Sequence, residues 1–387
     1  MKILHVGPFG PNIPGGLPPS ILGFASAQAI VGAQVGLLSS LPLTDASSIN
    51  RIPGVCLIGS PQKVHRNPWL ISKDWILRIV KKFGSPDLVN FHSSYIPFNT
   101  ALARRCKQSG WPYVITAHGV MGRSAVNVKR IKKLIANLLF FRSYVRDADA
   151  IHALTTREAN EIRASFKVKK VIVVPNGIEE SLFEAPGRLL PADLGDRTNL
   201  VLGFAGRIDM YHKGIDLLLN ALNIYESRSG AHRCSLFLVG PFHTKKDERR
   251  FHLTVESLSL TKRVKVLGAK NGDEKLRYFL ACDVFVHTSR FEGMPMAVLE
   301  AMALGRPCLV TTSTNVADIV CKGGGWKCEP DSKSIAQAIK SIYEQRDSLK
   351  ALGQRSQELM RKQFTWKSVA GQLYKEHLKL CGHAEQA

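Results

Sequence analysis

The chain has 387 residues and a mass of 42.7 kDa, more than one ordinary hydrophobic core organises, so we expect two or three domains. Apolar types make up 45% and charged types 22%, close to globular averages, which argues against disorder. The net charge of +22 predicts a surface that attracts polyanions, whether nucleic acid, an anionic membrane or phosphorylated small molecules. Residues 1–180 hold 23 basic and 9 acidic side chains and therefore most of the excess.

The hydropathy pattern and the cysteines bear on where the protein works. The chain begins with a short apolar stretch, Met1–Gly7, without the charged flank, long apolar run and cleavage site of a signal peptide. The sequence has no apolar run of 18 residues that could cross a membrane. The eight cysteines are scattered without C-x-x-C spacing, which argues against zinc and against a disulfide framework. These features predict a cytoplasmic protein.

Short apolar runs alternate with helical patterns, which is typical of βαβ units and parallel sheets. A first set ends at Pro175-Asn176-Gly177, and a Pro- and Gly-containing stretch at 181–197 is predicted to be a linker. The expected fold class is α/β, with two Rossmann-like, doubly wound parallel sheets in domains 1–180 and 198–363 that face a central cleft. The predicted strands are Lys2–Val6, Gln34–Leu38, Leu88–Phe91, Tyr113–Thr116, Ala150–Ala153, Lys170–Val174, Leu200–Ala205, Ser235–Val239, Val264–Leu267, Val284–His287 and Cys308–Thr311.

The last residues of the chain form a separate helical pattern, at about 364–387. Val369, Leu373 and Leu378 recur on one face of it, as in an amphipathic helix. This face must pack on one of the two domains, and the periodicity leaves open which one.

Two glutamates mark the segment richest in candidate site residues. Ser289–Gly293 follows a predicted strand and is expected to be a loop, and Met296–Leu304 a helix. Glu292 in the loop and Glu300 two turns along the helix can then face the same cleft. The alternative is an acid favoured by the helix dipole together with a surface glutamate. It explains poorly why Glu300 stands between two apolar residues.

Two cations mark a second segment, after the strand predicted to end at Ala205. Arg207 and Lys213 lie in a glycine-flanked loop, so both charged groups can converge on one anion. A guanidinium makes forked contacts with phosphate and an ammonium supplies a point charge. Such groups stabilise a phosphate leaving group, on which negative charge builds as its bond breaks. Either cation alone would more often be a solvated surface charge, but together with the glutamates downstream they indicate an anion site.

These motifs together resemble those of one enzyme family. In chain order they are Gly15-Gly16, His118, Pro175-Asn176-Gly177-Ile178, Gly206-Arg207, Lys213-Gly214, and Glu292 and Glu300 separated by seven residues. The set is similar to that of the retaining glycosyltransferases of family GT4, which have the GT-B fold, and it extends over nearly the whole chain. The two cations followed by the spaced glutamates are highly specific for the family, and the N-terminal motifs are weaker.

The resemblance implies a role for each matched residue. Arg207 and Lys213 would hold the diphosphate of a nucleotide sugar, and Glu300 would bond its ribose hydroxyls. Glu292 and the N–H groups of the Gly293-Met294-Pro295-Met296 segment would hold the donor sugar. The loop Leu267-Gly268-Ala269-Lys270 would contact the base, Gly15-Gly16 would approach the donor phosphate and the acceptor, and His118 would act at the reacting face of the sugar. The C-terminal helix would cross back to the first domain.

The N-terminal motifs have other interpretations as well. The glycines before Gly16 do not form a G-x-G-x-x-G pattern, so dinucleotide binding is only weakly indicated. Pro18-Pro19 stands where the family usually has helix-forming polar residues, and the helix after the glycine loop is expected to start near Ser20. A single histidine is more often structural, but the strand-end position of His118 and the family match favour a catalytic role. For His92 we favour the structural one.

The expected mechanism follows from these residues. No second carboxylate stands where a nucleophile would, so a double displacement like that of retaining glycosidases is not expected. The acceptor hydroxyl would instead attack on the face from which the nucleoside diphosphate departs, and an oxygen of that diphosphate would take the proton. Arg207 and Lys213 would stabilise the charge, so we expect neither metal nor cofactor. UDP-glucose is the favoured donor, GDP-mannose stays open, and the acceptor is a glycan or lipid-linked molecule in polysaccharide biosynthesis.

A basic stretch interleaved with apolar residues extends from Arg123 to Arg146 and contains no acid. A helix with a cationic and an apolar side binds well to an anionic membrane surface, so the enzyme could be peripheral at the inner face of the membrane. A helix packed on the sheet with a solvated basic face fits equally well. The basic residues are Arg123, Lys129, Arg130, Lys132, Lys133, Arg142 and Arg146.

Two other classes of protein fit part of the pattern. A nucleotide-sugar epimerase or a phosphorylase would share the two-sheet architecture; a phosphorylase normally needs a cofactor lysine and a longer chain, and an epimerase needs no acceptor. A non-catalytic nucleic-acid-binding protein fits the charge. However, the sequence has no zinc spacing, RNP-like aromatic strand or basic recognition helix, so no nucleic-acid partner is expected.

Overall fold

The chain folds into two compact units, Met1–Gly177 with Phe364–Ala387, and Ile178–Gln363, here called the first and second unit. Residues 181–184 of the predicted linker belong to the 3-10 helix Glu180–Glu184 of the second unit, and residues 185–197 lie outside the described part of the chain. The computed structural model describes residues 1–10, 13, 15–45, 47, 49–50, 52–62, 74–121, 140–184, 199–229 and 234–382.

The described residues contain thirteen strands, which form two parallel sheets, one in each unit. The strands are β1 (Lys2–Gly7), β2 (Gln34–Ser39), β3 (Val55–Gly59), β4 (Leu88–His92), β5 (Tyr113–Thr116), β6 (Ala150–Ala153), β7 (Val171–Val173), β8 (Leu200–Ala205), β9 (Cys234–Val239), β10 (Val264–Val266), β11 (Val284–His287), β12 (Cys308–Thr311) and β13 (Trp326–Cys328). Eleven of them lie within about a residue of their predicted positions. The other two, β3 and β13, were not predicted.

Helices connect the strands and cover the sheets. They are α1 (Leu17–Ile30), α2 (Asp74–Phe83), α3 (Pro97–Gln108), α4 (Arg142–Asp147), α5 (Thr156–Ser165), α6 (Ile215–Ser229), α7 (Lys245–Ser257), α8 (Gly272–Ala281), α9 (Met296–Ala303), α10 (Ala317–Lys322), α11 (Ser332–Glu344), α12 (Leu349–Gln363) and α13 (Trp366–Leu380). In the described part of the chain, no helix is both long and apolar enough to span a membrane.

The order of the strands makes both sheets doubly wound. It is β3-β2-β1-β4-β5-β6-β7 in the first unit and β10-β9-β8-β11-β12-β13 in the second, and the paired strands run parallel. Every residue of β4, β5, β8 and β11 is buried, as expected for strands covered by helices on both faces. The prediction of two doubly wound parallel sheets is confirmed.

The first helix starts earlier than expected. The sequence predicts a start near Ser20, but α1 begins at Leu17, so that Pro18 and Pro19 lie in its first turn. Proline is tolerated there because the N–H groups of the first turn have no partner within the helix in any case. The two prolines therefore start this helix instead of delaying it.

The C-terminal helix packs on the first unit, against α1. Its first residue, Trp366, lies edge-on against Phe24, with ring centroids 5.0 Å apart. A Cβ atom at Gly23 would lie 2.0 Å from the Trp366 ring and one at Gly177 would lie 2.5 Å from it. Both glycines thus make room for this tryptophan, and Val369, Leu373 and Leu378 are buried as their spacing predicts.

Most of the basic stretch from Arg123 to Arg146 lies outside the described residues. At its end, Arg142 and Arg146 are on α4, and the Arg146 guanidinium contacts the adjacent Asp147 carboxylate at 3.1 Å. The membrane-facing and the sheet-packed alternatives for this stretch both stay predictions.

Candidate functional site

Each sheet has one place where the chain order reverses: between β1 and β4 in the first unit and between β8 and β11 in the second. Loops at the carboxyl ends of the strands leave a crevice at such a point, and ligands of doubly wound sheets bind there. In the second unit the loops concerned follow β8 and β11. They contain Arg207, Lys213 and Glu292, so all three predicted residues lie at the reversal point of one sheet.

The loop after β8 starts with a close approach of two backbones. A Cβ atom at Gly240 would lie 2.0 Å from the carbonyl oxygen of Gly206, and the N–H of Gly240 donates to the carbonyl of Gly268 at 2.8 Å. Three glycines thus align across the carboxyl ends of β8, β9 and β10. Arg207 directly follows the first of these glycines. Its side chain is 42% exposed, and its guanidinium lies 4.0 Å from the Asp209 carboxylate. Its guanidinium is accessible to a ligand.

The two loops at the reversal point are joined by side chains that the sequence motifs did not single out. Arg290 makes a forked ion pair with Asp216, at 2.8 and 3.0 Å. The His212 ring stacks on Phe291 with centroids 4.2 Å apart, and its Nε2 is 2.9 Å from the Phe291 carbonyl oxygen. Thr288 donates to the main chain of the loop after β8. Its Oγ1 lies 3.2 Å from the carbonyl oxygen of Lys213 and 3.1 Å from that of Gly214. These contacts give the loop after β8 a defined position.

The charged centre of the site is an ion pair between Lys213 and Glu292. Burial alone would raise the pKa of the Glu292 carboxyl, but the Lys213 ammonium, with His287 and His212, holds this pKa well below its usual range. Glu292 is therefore an anion at neutral pH, with acceptor oxygens for hydroxyl groups. Burial also lowers the pKa of His287, more than its bond to Glu292 raises it, so this histidine is neutral.

The backbone at Gly214, next to Lys213, has little room for a side chain. Its φ is +64°, and an added Cβ would lie 2.1 Å from the carbonyl oxygen of Thr288. We expect Gly214→Ala to cost about 3 kcal/mol or more of unfolding free energy, because backbone strain adds to a clash with main-chain atoms.

The matched control for this variant is Gly268→Ala. Gly268 also has a positive φ, +70°, but nothing lies within 4 Å of an added Cβ. Thermal or denaturant unfolding should show about 1 kcal/mol of loss for the control, from the backbone conformation alone. Equal losses in the two variants would contradict the close approach at Gly214.

The predicted donor-sugar segment lies where the sequence places it, at the start of α9. Pro295 is the N-cap residue and has no capping side chain, and Gly293 and Met294 before it are buried. The loop is fixed by Glu292, which pairs with Thr314 in an isolated parallel bridge. The first turn of α9, from Met296, therefore presents backbone N–H groups, which favour partial negative charge.

Glu300 lies on α9 and is engaged by a lysine that the sequence motifs did not identify. Both of its carboxylate oxygens are 2.9 Å from the Lys275 ammonium, which comes from α8. The two predicted glutamates thus pair with different lysines. Gly268 and Ala269 lie in the loop after β10, at the same edge of the sheet.

The predicted residues of the first unit lie at the carboxyl ends of its strands. His118 follows β5, has a φ of +50° and is 2.9 Å from the His92 ring. A positive φ is strained for a residue with a side chain, and such strain is concentrated at functional sites. Gly15, with a φ of +104°, and Gly16, the N-cap of α1, are in the loop after β1.

The chain contains one Asp-x-Asp pattern, Asp147-Ala148-Asp149, which is a common metal-binding signature and bears on the expectation of a metal-free site. It precedes β6, so it lies at the opposite edge of the sheet from His118. Asp147 pairs with Lys107 at 3.0 Å, and Asp149 with Lys169 at 2.9 Å. The described residues contain no group of three or more side chains arranged to hold a metal ion. Metal independence stays a prediction.

Comparisons with known proteins match both units. The model of the Glycosyltransferase Family 4 domain matches residues 14–182, and that of the glycosyl transferases group 1 domain matches residues 192–359. A curated relative, a subunit of the human phosphatidylinositol N-acetylglucosaminyltransferase, is 22% identical over 284 residues. The match covers 73% of this chain and 55% of the relative, so the chain spans little more than half of that protein's length.

Solved structures resemble the fold over nearly the whole chain. A sucrose-phosphate synthase from Thermosynechococcus elongatus aligns with a TM-score of 0.75 and 20% identity, covering 98% of this chain and 100% of its own. HepE from Anabaena, in complex with UDP and glucose, aligns with a TM-score of 0.74 and 20% identity. The alignment covers 97% of this chain and 99% of HepE. Two glycosyltransferase family models thus match the two halves of the chain, so the chain is a GT4-type glycosyltransferase and has the GT-B fold.

Proposed function

We propose that the protein transfers a sugar, with retention of configuration, from a nucleoside-diphosphate donor to a hydroxyl of a glycan or lipid-linked acceptor. The observation that carries the proposal is the ion pair of Lys213 and Glu292 at the reversal point of the second sheet, with Arg207 exposed in the same loop. A cation for a diphosphate and an anion for sugar hydroxyls are thus adjacent. Such a pair suits a ligand that is both anionic and rich in hydroxyls.

Arg207 and Lys213 act on the leaving group in this proposal. As the bond between sugar and phosphate breaks, negative charge collects on the diphosphate, and both cations stabilise it more strongly than they stabilise the ground state. Glu292 and the first turn of α9 hold the sugar, and Glu300 holds the ribose. His118 acts on the reacting sugar.

The acceptor hydroxyl attacks from the side on which the diphosphate leaves, so configuration is retained without a covalent sugar–enzyme intermediate. The hydroxyl proton passes to the departing phosphate oxygen, which gains negative charge as the bond breaks. The two cations perform the charge stabilisation that a divalent metal would otherwise supply, so the reaction is proposed to need no metal.

The donor is proposed from a solved structure, and the acceptor from the name of a relative and from the net charge. The HepE structure is a complex with UDP and glucose, in line with UDP-glucose as the preferred donor. The name of the human relative indicates a lipid acceptor, phosphatidylinositol, for that protein. The net charge of +22 would favour an anionic acceptor, such as a lipid-linked diphosphate, at a membrane surface.

A screen of nucleotide sugars by melting temperature tests the proposal. A donor at 100 times its Kd stabilises the native state by about 2.7 kcal/mol, which should raise Tm by roughly 5–10 °C. We expect this rise with UDP-glucose, unchanged by EDTA, and a smaller one with GDP-mannose. Anomeric analysis of the product by NMR then tests retention. The absence of a shift with every nucleotide sugar, or a product epimerised without transfer, would contradict the proposal.

A further inference from the structure

A row of hydrogen-bonded side chains crosses the core of the first unit. His118 Nε2 is 2.9 Å from His92 Nδ1, and His92 Nε2 is 2.8 Å from His5 Nδ1. His5 Nε2 is 2.8 Å from Gln28 Oε1, and Gln28 Nε2 is 3.2 Å from His377 Nδ1. The row thus extends from the strand end that carries His118 to the C-terminal helix, and we call it the histidine row.

The histidine row is deeply buried except at one end. His5, Gln28, His92 and His377 are all fully inaccessible to solvent, whereas His118 is half-buried. His5 and His92 are on the adjacent strands β1 and β4, and their rings stack with centroids 5.1 Å apart. Gln28 comes from α1 and His377 from α13, so every member is held by a different element.

The imidazoles of the histidine row are neutral. Burial lowers the pKa of His5 to about 4 and holds that of His92 and His377 well below the ordinary value. Burial is also the main cause that lowers the pKa of His118, to about 3. A neutral imidazole has one N–H and one nitrogen lone pair, so each ring can donate at one nitrogen only.

This rule makes each tautomer depend on the next one. Gln28 presents its carbonyl oxygen, which can only accept, so His5 must donate from Nε2 and accept at Nδ1. His92 must then donate from Nε2 to His5 and accept at Nδ1. His118 must in turn donate from Nε2 to His92. The lone pair of His118 is left on Nδ1.

We propose that Gln28, acting through His5 and His92, fixes the tautomer of His118 so that its Nδ1 accepts a hydrogen bond from a sugar hydroxyl. Gln28, His5 and His92 are positioning residues in this scheme, because they act through His118. The statement about the tautomer stands on the contacts of the histidine row alone. The statement about the hydroxyl rests on the proposed function.

The tautomer is read directly by ¹⁵N NMR of the full chain labelled with [¹⁵N]histidine. Protonated and unprotonated ring nitrogens have well-separated shifts, and the His118 signals are assigned by their loss in His118→Gln. We expect an unprotonated Nδ1 and a protonated Nε2 in the wild-type protein. Gln28→Leu removes the carbonyl that sets the direction and should give intermediate shifts at both nitrogens.

A further variant separates positioning from mere packing. His152→Leu removes an equally buried histidine that bonds to Thr116 and the Val174 carbonyl instead of the row. It should lower the melting temperature but leave the His118 shifts unchanged.

The kinetic consequence follows from populations. If Gln28→Leu leaves the two tautomers of His118 equally populated, only half of the enzyme can accept the sugar hydroxyl, so the donor KM should rise about twofold and kcat/KM should fall by the same factor. A protonated Nδ1 in the wild-type protein, or unchanged His118 shifts in Gln28→Leu, would overturn the proposal. The expected shifts in a protein that transfers no sugar would instead overturn the proposed function and leave the tautomer assignment in place.

Discussion

Lys213→Ala is expected to lower the kcat for sugar transfer by about 10²–10³-fold, because one charge that stabilises the departing diphosphate is lost. Lys213 is largely buried beside Glu292, so its charge acts in a site of low dielectric constant. The loss should appear more in kcat than in donor KM, since charge on the diphosphate grows in the transition state. Release of UDP from UDP-glucose, with water or an added acceptor, measures it.

The matched control is Lys340→Ala. Lys340 also faces a glutamate, Glu344 at 3.8 Å, but both side chains are exposed and belong to α11. Such exposed pairs contribute little, and kcat should be unchanged. The double variant Lys213→Ala/Glu292→Gln removes the carboxylate left unpaired and should recover thermal stability without recovering kcat. Full turnover in Lys213→Ala would remove the leaving-group role of this residue.

We expect acid to destabilise the first unit at a higher pH than in an ordinary domain, where the protonation of carboxylates causes the loss of stability. Burial lowers the pKa of His5 and His152 to about 4, against 6.5 for a free imidazole. Below pH 6.5 the unfolded chain therefore binds protons that the native state cannot bind. The unfolding free energy should fall by about 3 kcal/mol for each of these two histidines between pH 6.5 and 4. His92 and His377 act in the same direction.

One buried acid opposes this trend. Burial raises the pKa of Glu158 to about 7, although N–H bonds from Leu154 and Gly119 favour its charged form. Glu158 binds a proton more tightly in the native state than in the unfolded state. Acidification from pH 7 to 4.5 therefore increases the unfolding free energy by about 3 kcal/mol through this group. This offsets about one histidine, and the net effect is destabilising.

Hydrogen exchange at several pH values, resolved by peptides, measures this effect in each unit separately. We expect the protection of β1, β4 and β6 to decrease steeply between pH 6.5 and 4.5. Glu158→Gln should make the decrease steeper, because the opposing group is gone. Protection of these strands that is independent of pH would contradict the account of the buried histidines.

Most of the fold follows from local patterns, and its exceptions have a physical reason. Strands buried on both faces, such as β4 and β8, are continuous apolar runs that are easily seen. The two strands that were missed, β3 and β13, each form an edge of a sheet and are mostly half-buried. A short edge strand needs fewer apolar residues, so its pattern is weak.

The site was predictable where residues of one motif lie on a single loop. Arg207 and Lys213 are in one strand-end loop, and Glu292 is in the loop of an adjacent strand, so the sheet itself brings them together. Arg290 and Asp216, which join the loops, are 74 residues apart and had no pattern of their own. The sequence shows an arginine in the loop after β11 and an aspartate in the first turn of α6, and these two positions were the signals from which the pair could have been found.

The histidine row could not have been predicted from the sequence. His5 and His92 are 87 residues apart, and Gln28 and His377 are 349 apart, so neither periodicity nor spacing relates them. Each histidine taken singly is most often structural, and we interpreted His92 in that way. Its role becomes visible only when β1, β4, α1, α13 and the loop after β5 are packed together.

A crystal structure with bound donor tests the central claim most directly. Crystals would be soaked with UDP-glucose or with GDP-mannose, whichever gives the larger rise in Tm. The account predicts diphosphate oxygens within hydrogen-bond distance of Arg207 and Lys213, ribose hydroxyls on Glu300 and sugar hydroxyls on Glu292. A nucleotide sugar bound elsewhere, with these four side chains turned towards solvent, would contradict it.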